Sequence, residues 1–359
     1  MIEFSLCMIV KNEESVLGRC LDSIGDLASE IVIVDTGSTD ATEAVASRYT
    51  DRIYHFAWED DFGAARNFSF SQASKPYCMW LDADDVLLPE DRLELLRLKN
   101  SLPPETDMVM LPYHTGFDAD QKPTFTYYRE RIVRNSPNFR WEGAVHECIP
   151  PSGNIVYGKA AVTHQKLKAS DPDRNLRILE GRIQAGKTLT PREQYYYARE
   201  LYYHDRFEDA AGQFSSFLAS GRGWVENNIE ACRFLSYCQS RLGQKEEALH
   251  SLLQSFSYDI PRAETCCDIG NYFIERSAYR QAAYWYEQAL NAVRDDTAGG
   301  FVEPDCYGYL PCLQLCVCWY HLGDPKKAMD YNERAAALKP SSPACAYNRT
   351  FFKNLENHA

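Results

Sequence analysis

With 359 residues the chain is too long for one typical core and reads as two or three domains. Its 38 Lys and Arg stand against 51 Asp and Glu, a formal charge of −13, which repels phosphate backbones and anionic lipid surfaces and excludes nucleic acid as the expected partner. No apolar stretch approaches the roughly 20 residues that span a bilayer, and the opening "MIEFSLCMIV" runs into "KNEE" without a small-residue cleavage site. The opening therefore reads as a strand, and the expectation is a soluble cytoplasmic protein with no membrane insertion.

In chain order, the first ~110 residues alternate strand and helix signals. "EFSLCMIV" is a strand, "EESVLGRCLDSI" a helix, "EIVIVD" a strand, "STDATEAVASRY" a helix capped by Ser38 or Thr39, and "RIYHF" a strand. Then follow the helix "GAARNFSFSQAS", the strand "YCMWLD", the helix "PEDRLELLRLK" with Pro89 in its first turn, and the strand "DMVMLPY". Such alternation implies a Rossmann-like α/β domain with a mainly parallel sheet, whose ligands sit beyond the carboxyl ends of the strands. Those ends read "VKNEE", "VDTGSTD", "HFAWEDD" and "LDADD", and all four carry polar or acidic groups. From about 112 to 165 the pattern is β-rich and irregular, and "ASDPDRNLRILEGRI" opens a helix with Asp171 as its cap and Pro172 in its first position.

Beyond residue 190 the chain is helical and repetitive. "GNYFIERSAYRQAAYWYEQAL" places Gly270, Phe273, Tyr279, Ala282, Tyr286 and Ala289 on the small and aromatic positions of a 34-residue tetratricopeptide repeat. The helix-packing alanine recurs as Ala210, Ala248, Ala282 and Ala328, Gly243 and Gly323 fill turns, and about 12 residues around "RDDTAGGFVEPD" are inserted before the last repeat. About four repeats and a closing helix, "ACAYNRTFFKNLEN", make a stacked all-α domain. The expected boundaries are 1–170 for the α/β domain and 171–359 for the repeats. Thirteen cysteines, an odd number in apolar contexts, read as reduced thiols. "PCLQLCVC" (Cys312, Cys316, Cys318) has no matching second pair and reads as core rather than as a metal site.

Three segments carry candidate chemistry. In "DADD", Asp82 and Asp84 at a strand end offer oxygen ligands to a hard divalent cation, although acids before a helix also suit its dipole. Asp35 in "VDTGSTDAT" can accept from a nucleobase or ribose, with Gly37 allowing close approach; the bland alternative is a capped turn. Arg66 in "WEDDFGAARN" can clamp phosphate or simply pair with Asp60 or Asp61.

Taken together, "CMIVKNEE", "IVIVDTGSTDAT", "WEDDFGAARN", "WLDADD" and "WEGAVHE" resemble, in order and spacing, the family 2 glycosyltransferases of the GT-A fold over residues 1 to about 175. The chain also looks like bacterial members with C-terminal tetratricopeptide repeats, a group that includes the peptide S-glycosyltransferases of bacteriocins. The resemblance implies a metal-dependent, inverting, hexosyltransferase-like enzyme using a nucleotide-sugar, UDP-linked by expectation. Asp35 would hold the uracil, Lys11, Asn12 and Glu13 would line the nucleotide, and Arg66 would approach the diphosphate. Asp82 and Asp84 would hold Mn or Mg, Asp82 alternatively the ribose, while Asp85 supports the loop.

An inverting transfer needs a carboxylate base. Glu142 and Glu147 are the candidates, and strand alternation would put Glu142 with His146 on one face and Glu147 on the other. Glu147 is preferred because its His-Glu pair resembles the acidic base motif of relatives. His164 and His146 are candidate metal or phosphate ligands, and Trp141 is a platform for a sugar ring or a core aromatic. The expected acceptor is a peptide or protein read by the repeats. The alternatives are a cell-envelope saccharide acceptor with the repeats serving homodimerisation, or a tetratricopeptide interaction protein with a silent nucleotide-binding domain.

Overall fold

The computed structural model describes residues 2–117, 123–167 and 171–356, so the first two residues of the segment beginning at Ala169 and the expected boundary itself lie outside or at the edge of the described residues. The chain forms two compact units, Met1–Tyr196 and Tyr197–Ala359.

The first unit contains β1 (Phe4–Val10), α1 (Leu17–Ile24), β2 (Glu30–Asp35), α2 (Thr42–Ala46), β3 (Ile53–His55), α3 (Phe62–Ser71), β4 (Tyr77–Trp80), β5 (Asp85–Val86) and α4 (Pro89–Ser101). β6 (Met108–Phe117), β7 (Pro123–Arg134), β8 (Ile155–Tyr157), β9 (Val162–His164), α5 (Arg174–Gln184) and the start of α6 (Pro191–Tyr203) follow. The strands join in one sheet of order β3-β2-β1-β4-β7-β6-β9-β5, with β8 on β6. β1 is parallel to β2 and β4, and β2 to β3. β7 then enters antiparallel between β4 and β6, so the parallel half continues into a mixed one.

Two-residue periodicity explains the layering. On β1, Phe4, Leu6, Met8 and Val10 share a cluster with Leu17, Leu21 and Leu95 of the helices on one face. Cys7, with Cys78 and Trp80 of β4, points to the opposite face and packs with Phe70 of α3 and Trp141. Both faces of the central strands are covered, which is why "CMIV" and "YCMW" read as unbroken apolar runs.

Two local expectations change. α2 is a single short helix whose cap region uses Asp40, whose Oδ1 accepts from Thr42 N at 3.0 Å, rather than Ser38 or Thr39. α5 starts at Arg174, and Asp171 accepts from Asp173 N at 3.0 Å, so it shapes the turn before the helix instead of capping it. The first unit also extends past residue 170 because α5 and α6 bind back: Arg182 pairs with Asp61 at 3.3 Å, Arg192 Nε donates to the His146 carbonyl, and the His146 ring stacks on Tyr196 at 4.1 Å.

The second unit stacks helical hairpins. After the end of α6 come α7 (Phe207–Ser220), α8 (Val225–Arg241), α9 (Lys245–Gln254), α10 (Ala263–Ile274), α11 (Tyr279–Asn291), α12 (Tyr309–His321), α13 (Pro325–Leu338) and the closing α14 (Pro343–Glu356). Ala210, Ala248, Ala282 and Ala328 each occupy the fourth position of the second helix in a hairpin and are at most 1% exposed. Five residues before each alanine the backbone turns left-handed, at Asp205, Gly243, Ser277 and Gly323. Gly270 is required by packing, since a Cβ there would lie 2.7 Å from the Tyr286 ring. All thirteen cysteines are free thiols; Cys312, Cys316 and Cys318 are at most 2% exposed and distribute over three apolar clusters, as core packing requires. Among the described residues no helix is long and apolar enough to cross a membrane.

Candidate active site

The candidate residues gather where the parallel strands end. β2 ends at Asp35, opposite Val10 of β1 and His55 of β3. Asp35 is 4% exposed; its Oδ1 accepts from the N–H groups of Gly37 and Ser38, each at 2.7 Å, while its Oδ2 is buried without a hydrogen-bond partner. A buried carboxylate oxygen left open is costly, so this one suits a ligand that brings an N–H or O–H. Beside it, Asn12 adopts a left-handed backbone and accepts from Thr39 N at 2.7 Å, Glu13 N donates to Thr42 Oγ1 at 2.6 Å, and Lys11 is exposed. The Lys11–Glu13 turn is thereby tied to the Asp35 loop.

The "DADD" turn follows β4 and folds into β5, which pairs antiparallel with β9 so that Asp85 faces His164. Gln165 N donates to the Asp84 carbonyl at 2.9 Å, completing the junction. Ligand atoms of Asp84, Asp85 and His164 all lie within 4.8 Å of one another. Asp85, fully buried, is already committed: its Oδ2 accepts from Arg131 Nη1 at 2.9 Å and Asp82 N at 3.1 Å, and its Oδ1 from the Tyr113 hydroxyl at 2.9 Å. Its hydrogen bond to His164, opposed by burial and helped by the charge of Asp84, raises the imidazole pKa. Burial raises that of Asp84, with His164 acting against it. The donor set fits a hard divalent cation, with Asp84 and His164 as available ligands and Asp85 holding them in place.

Asp82 departs from its expected place in that cluster. Its Oδ1 accepts from Arg66 Nη2 at 2.7 Å, and although burial would raise its pKa, the Arg66 charge and that of Arg131 hold it at about 2. Arg66 Nε donates in turn to Glu147 Oε1 at 2.6 Å. Arg66 is 7% exposed, and its guanidinium lies over both the Trp80 and the Trp141 ring, 4.8 Å from each. Arg66 therefore pairs with neither Asp60 nor Asp61; its Nε and Nη2 go to the carboxylates of Glu147 and Asp82.

The segment "WEGAVHE" is a turn, and the expected strand alternation fails in it. Gly143 and His146 have positive φ, and Glu142 and Cys148 exchange backbone hydrogen bonds around them. Gly63 at the start of α3 faces this turn so closely that a Cβ would sit 2.5 Å from the Gly143 carbonyl. Glu142 is consequently exposed, Glu147 points at Arg66, and His146 stacks on Tyr196 instead of joining Asp84 and His164. Trp141 is 4% exposed and edge-on to Trp80 and Phe70, so it is a core aromatic and offers no face to a sugar ring.

The residues that sequence reasoning overlooked lie on β7. Arg131 is fully buried against Trp80 and Tyr113, and Arg129 and Glu130 form an ion pair at 3.1 Å. The available signal was three consecutive charges, "RER", inside a strand with apolar neighbours, because Glu and Arg are almost never fully buried unless paired.

A sheet whose parallel half carries an acid at the end of one strand and an acid-rich turn after another, with a carboxylate on a nearby turn, has the layout of an α/β domain that binds its ligand beyond the strand ends. Residues 5–152 match the family model described as Glycosyl transferase family 2. The likeness to family 2 glycosyltransferases thus falls on residues 5–152, and a unit of stacked helical hairpins with the tetratricopeptide pattern follows in the chain. It is similar to a TPR repeat-containing protein of Synechococcus elongatus, 38% identical over 153 residues, covering 42% of this chain and 36% of the relative. It is also similar to the lipopolysaccharide core biosynthesis glycosyltransferase LpsC of Rhizobium meliloti (31% over 163 residues, 43% and 59% covered). A third relative is the SPbeta prophage-derived glycosyltransferase SunS of Bacillus subtilis (26% over 220 residues, 56% and 50%). The chain spans between about a third and three fifths of the length of these relatives.

Proposed function

We propose that the first unit transfers a sugar, with inversion, from a nucleotide-sugar of the UDP type to a peptide or protein acceptor. The observation that carries this reading is the guanidinium of Arg66, which holds Asp82 of the "DADD" turn and Glu147 together. Inverting transfer needs a donor-side acid cluster and an acceptor-side carboxylate at one reaction centre. The unfilled Oδ2 of Asp35 supports recognition of a nucleobase N–H such as that of uracil, with Lys11, Asn12 and Glu13 beside it. Asp84 and His164 would hold Mn or Mg, with Asp82 next to them. When bound, such an ion stabilises negative charge on the departing nucleotide diphosphate. Glu147 is the base in this reading: it is only 11% exposed and already oriented, whereas Glu142 faces solvent. Arg66 binds and orients both carboxylates, and the acceptor proton goes to the Glu147 oxygen not held by its Nε.

The peptide acceptor is supported by the repeat unit, whose stacked helices supply an extended surface. A saccharide acceptor is the second reading, favoured by the likeness to a relative described as acting in lipopolysaccharide core biosynthesis. The test is a panel of nucleotide-sugars with Mn, measuring release of free nucleotide by the protein and by Asp84→Ala. Stimulation by metal with at least one donor, and a loss of about 100-fold or more in the variant, is expected. No stimulation with any donor, or full activity in Asp84→Ala, overturns the metal-dependent reading. Mass spectrometry of peptide and oligosaccharide acceptors with the accepted donor then separates the two acceptor classes.

A further inference from the structure

The inserted segment before the last full repeat has a definite place in the second unit. Residues 292–308 connect α11 to α12, whereas only residues 221–224 connect α7 to α8 and 339–342 connect α13 to α14. Residues 292–303 contain no helix or strand, and 293–297 are exposed, but from 298 onward the segment lies against the first helices of the hairpins. Val302 is 9% exposed. Glu303 N donates to Glu264 Oε1 at 2.8 Å, Arg233 Nη2 donates to the Glu303 carboxylate at 2.9 Å, and Arg199 lies over the Phe301 ring at 5.1 Å.

Close fit extends to the backbone. A Cβ on Gly299 would come within 2.9 Å of the Trp224 ring, and one on Gly300 within 2.5 Å of the Glu226 carboxylate. A partly open cavity of about 40 Å³, room for a few waters, remains between segment and helices. The polar match is specific as well. Arg233 gives its Nε to Asp268 at 2.7 Å and its Nη2 to Glu303, while the Glu303 side chain is 52% exposed on its other side. The groove thus presents a nearly buried guanidinium with one edge open to a carboxylate that arrives from outside the helices.

We propose that this groove is a binding site for an extended peptide that presents small residues, an aromatic, an aliphatic and an acid in succession, and that Gly299–Glu303 occupies it in cis as a built-in ligand. A tethered segment acts at an effective concentration in the millimolar range. A free peptide whose Kd for the empty groove is tens of micromolar is therefore suppressed about 100-fold in the intact chain.

The test uses the full chain with residues 298–303 replaced by six Gly and Ser residues, and a fluorescein-labelled synthetic peptide of residues 297–304 read by anisotropy, without any sugar donor. Expected are saturable binding to the replaced chain, binding at least about tenfold weaker to the parent chain, and binding at least about tenfold weaker when the peptide carries Ala for Phe or Gln for Glu. No saturable binding to a replaced chain that retains its helical circular dichroism and cooperative melt overturns the proposal, as does equal binding to the parent. Should the replacement lose that melt, Phe301→Ala with Glu303→Gln in the otherwise intact chain takes its place with the same two readings. Failure here leaves the transfer reading untouched, because no step of transfer is measured.

Discussion

Arg66 shows how one side chain can set the chemistry of several others. Its guanidinium is nearly buried and faces Asp82 and Glu147, so removing it leaves two carboxylates close together without their shared cation. Breaking a buried ion pair by deleting one partner typically costs about 3–5 kcal/mol. Arg66→Ala should lose stability in that range in a denaturant titration, and Arg66→Lys less, since an ammonium keeps the charge but not the fork that spans both acids. A loss under about 1 kcal/mol in Arg66→Ala would mean the pair contributes little. Glu130 makes a second residue-scale prediction. Burial would raise its pKa, but the Arg129 charge and hydrogen bonds, together with the Ile149 N–H, hold it below the usual carboxylate range. A depressed folded-state value means the unfolded chain takes up the proton first. The stability it adds is therefore complete above the ordinary Glu value of about 4.3 and fades as pH falls through the lower folded value. Glu130→Gln should be less stable than the parent at pH 7, with the difference shrinking toward pH 3 in urea titrations; a constant difference would refute the assignment. At this scale the sequence was a partial guide. Asp35, Asp82 and Asp84 announced themselves at strand ends, but Trp141 and Glu147 did not reveal which way they face. Positive φ at Gly143 and His146 reverses the alternation that a strand would impose, and of the two only the glycine hints at it.

Single elements follow from local pattern where they are buried on both faces or repeated, and less well where they are short. β1, β2 and β4 were legible because apolar runs of this length between helices have few other uses. α2 was not fully so: its Asp40 side chain competes with Ser38 and Thr39 for the same turn donors, and propensity does not rank three such residues. Insertion of β7 between β4 and β6 depends on pairings far apart in sequence, to which local period is blind. The hairpins of the second unit give an element-scale prediction. Each turns left-handed at one position, which costs a residue with a Cβ roughly 1 kcal/mol unless, like Asp, it can bond locally. Gly243→Ala and Gly323→Ala should each destabilise by about 1 kcal/mol, while Ser277→Gly, exposed in its turn, should gain a few tenths to 1 kcal/mol, the release of strain being offset by the freer unfolded chain. Thermal melts monitored at the helical band decide this; a stabilised Gly243→Ala would show that the turn does not need its positive φ.

For the whole molecule, motif order was the most legible property and the extent of the first unit the least. Five short motifs in fixed order are enough to suggest a family, since four of them follow the strands β1 to β4 of one sheet and the fifth, "WEGAVHE", is a turn whose Glu147 meets Arg66. The hold of α5 and α6 on the first unit rests instead on Arg182 reaching Asp61 and on Tyr196 stacking on His146, contacts that span 121 and 50 residues and leave no local trace. The division into Met1–Tyr196 and Tyr197–Ala359 makes a prediction about where a nucleotide-sugar acts. Binding to the folded state alone adds RT ln(1 + [L]/Kd), about 2.7 kcal/mol at 100 times Kd, and slows amide exchange in the segments whose opening would release the ligand. If Asp35, Asp84 and His164 hold the donor, a UDP-sugar with Mn should slow exchange at the ends of β1, β2 and β4, in the Gly37–Asp40 loop and at β5 and β9. Asp84→Ala should abolish the effect at β5 and β9 and retain a weaker one near Asp35, because the nucleobase side keeps its own unfilled acceptor. Protection appearing in α8 to α13 instead would remove the donor from the strand ends, and equal protection in Asp84→Ala throughout would remove the cation from Asp84.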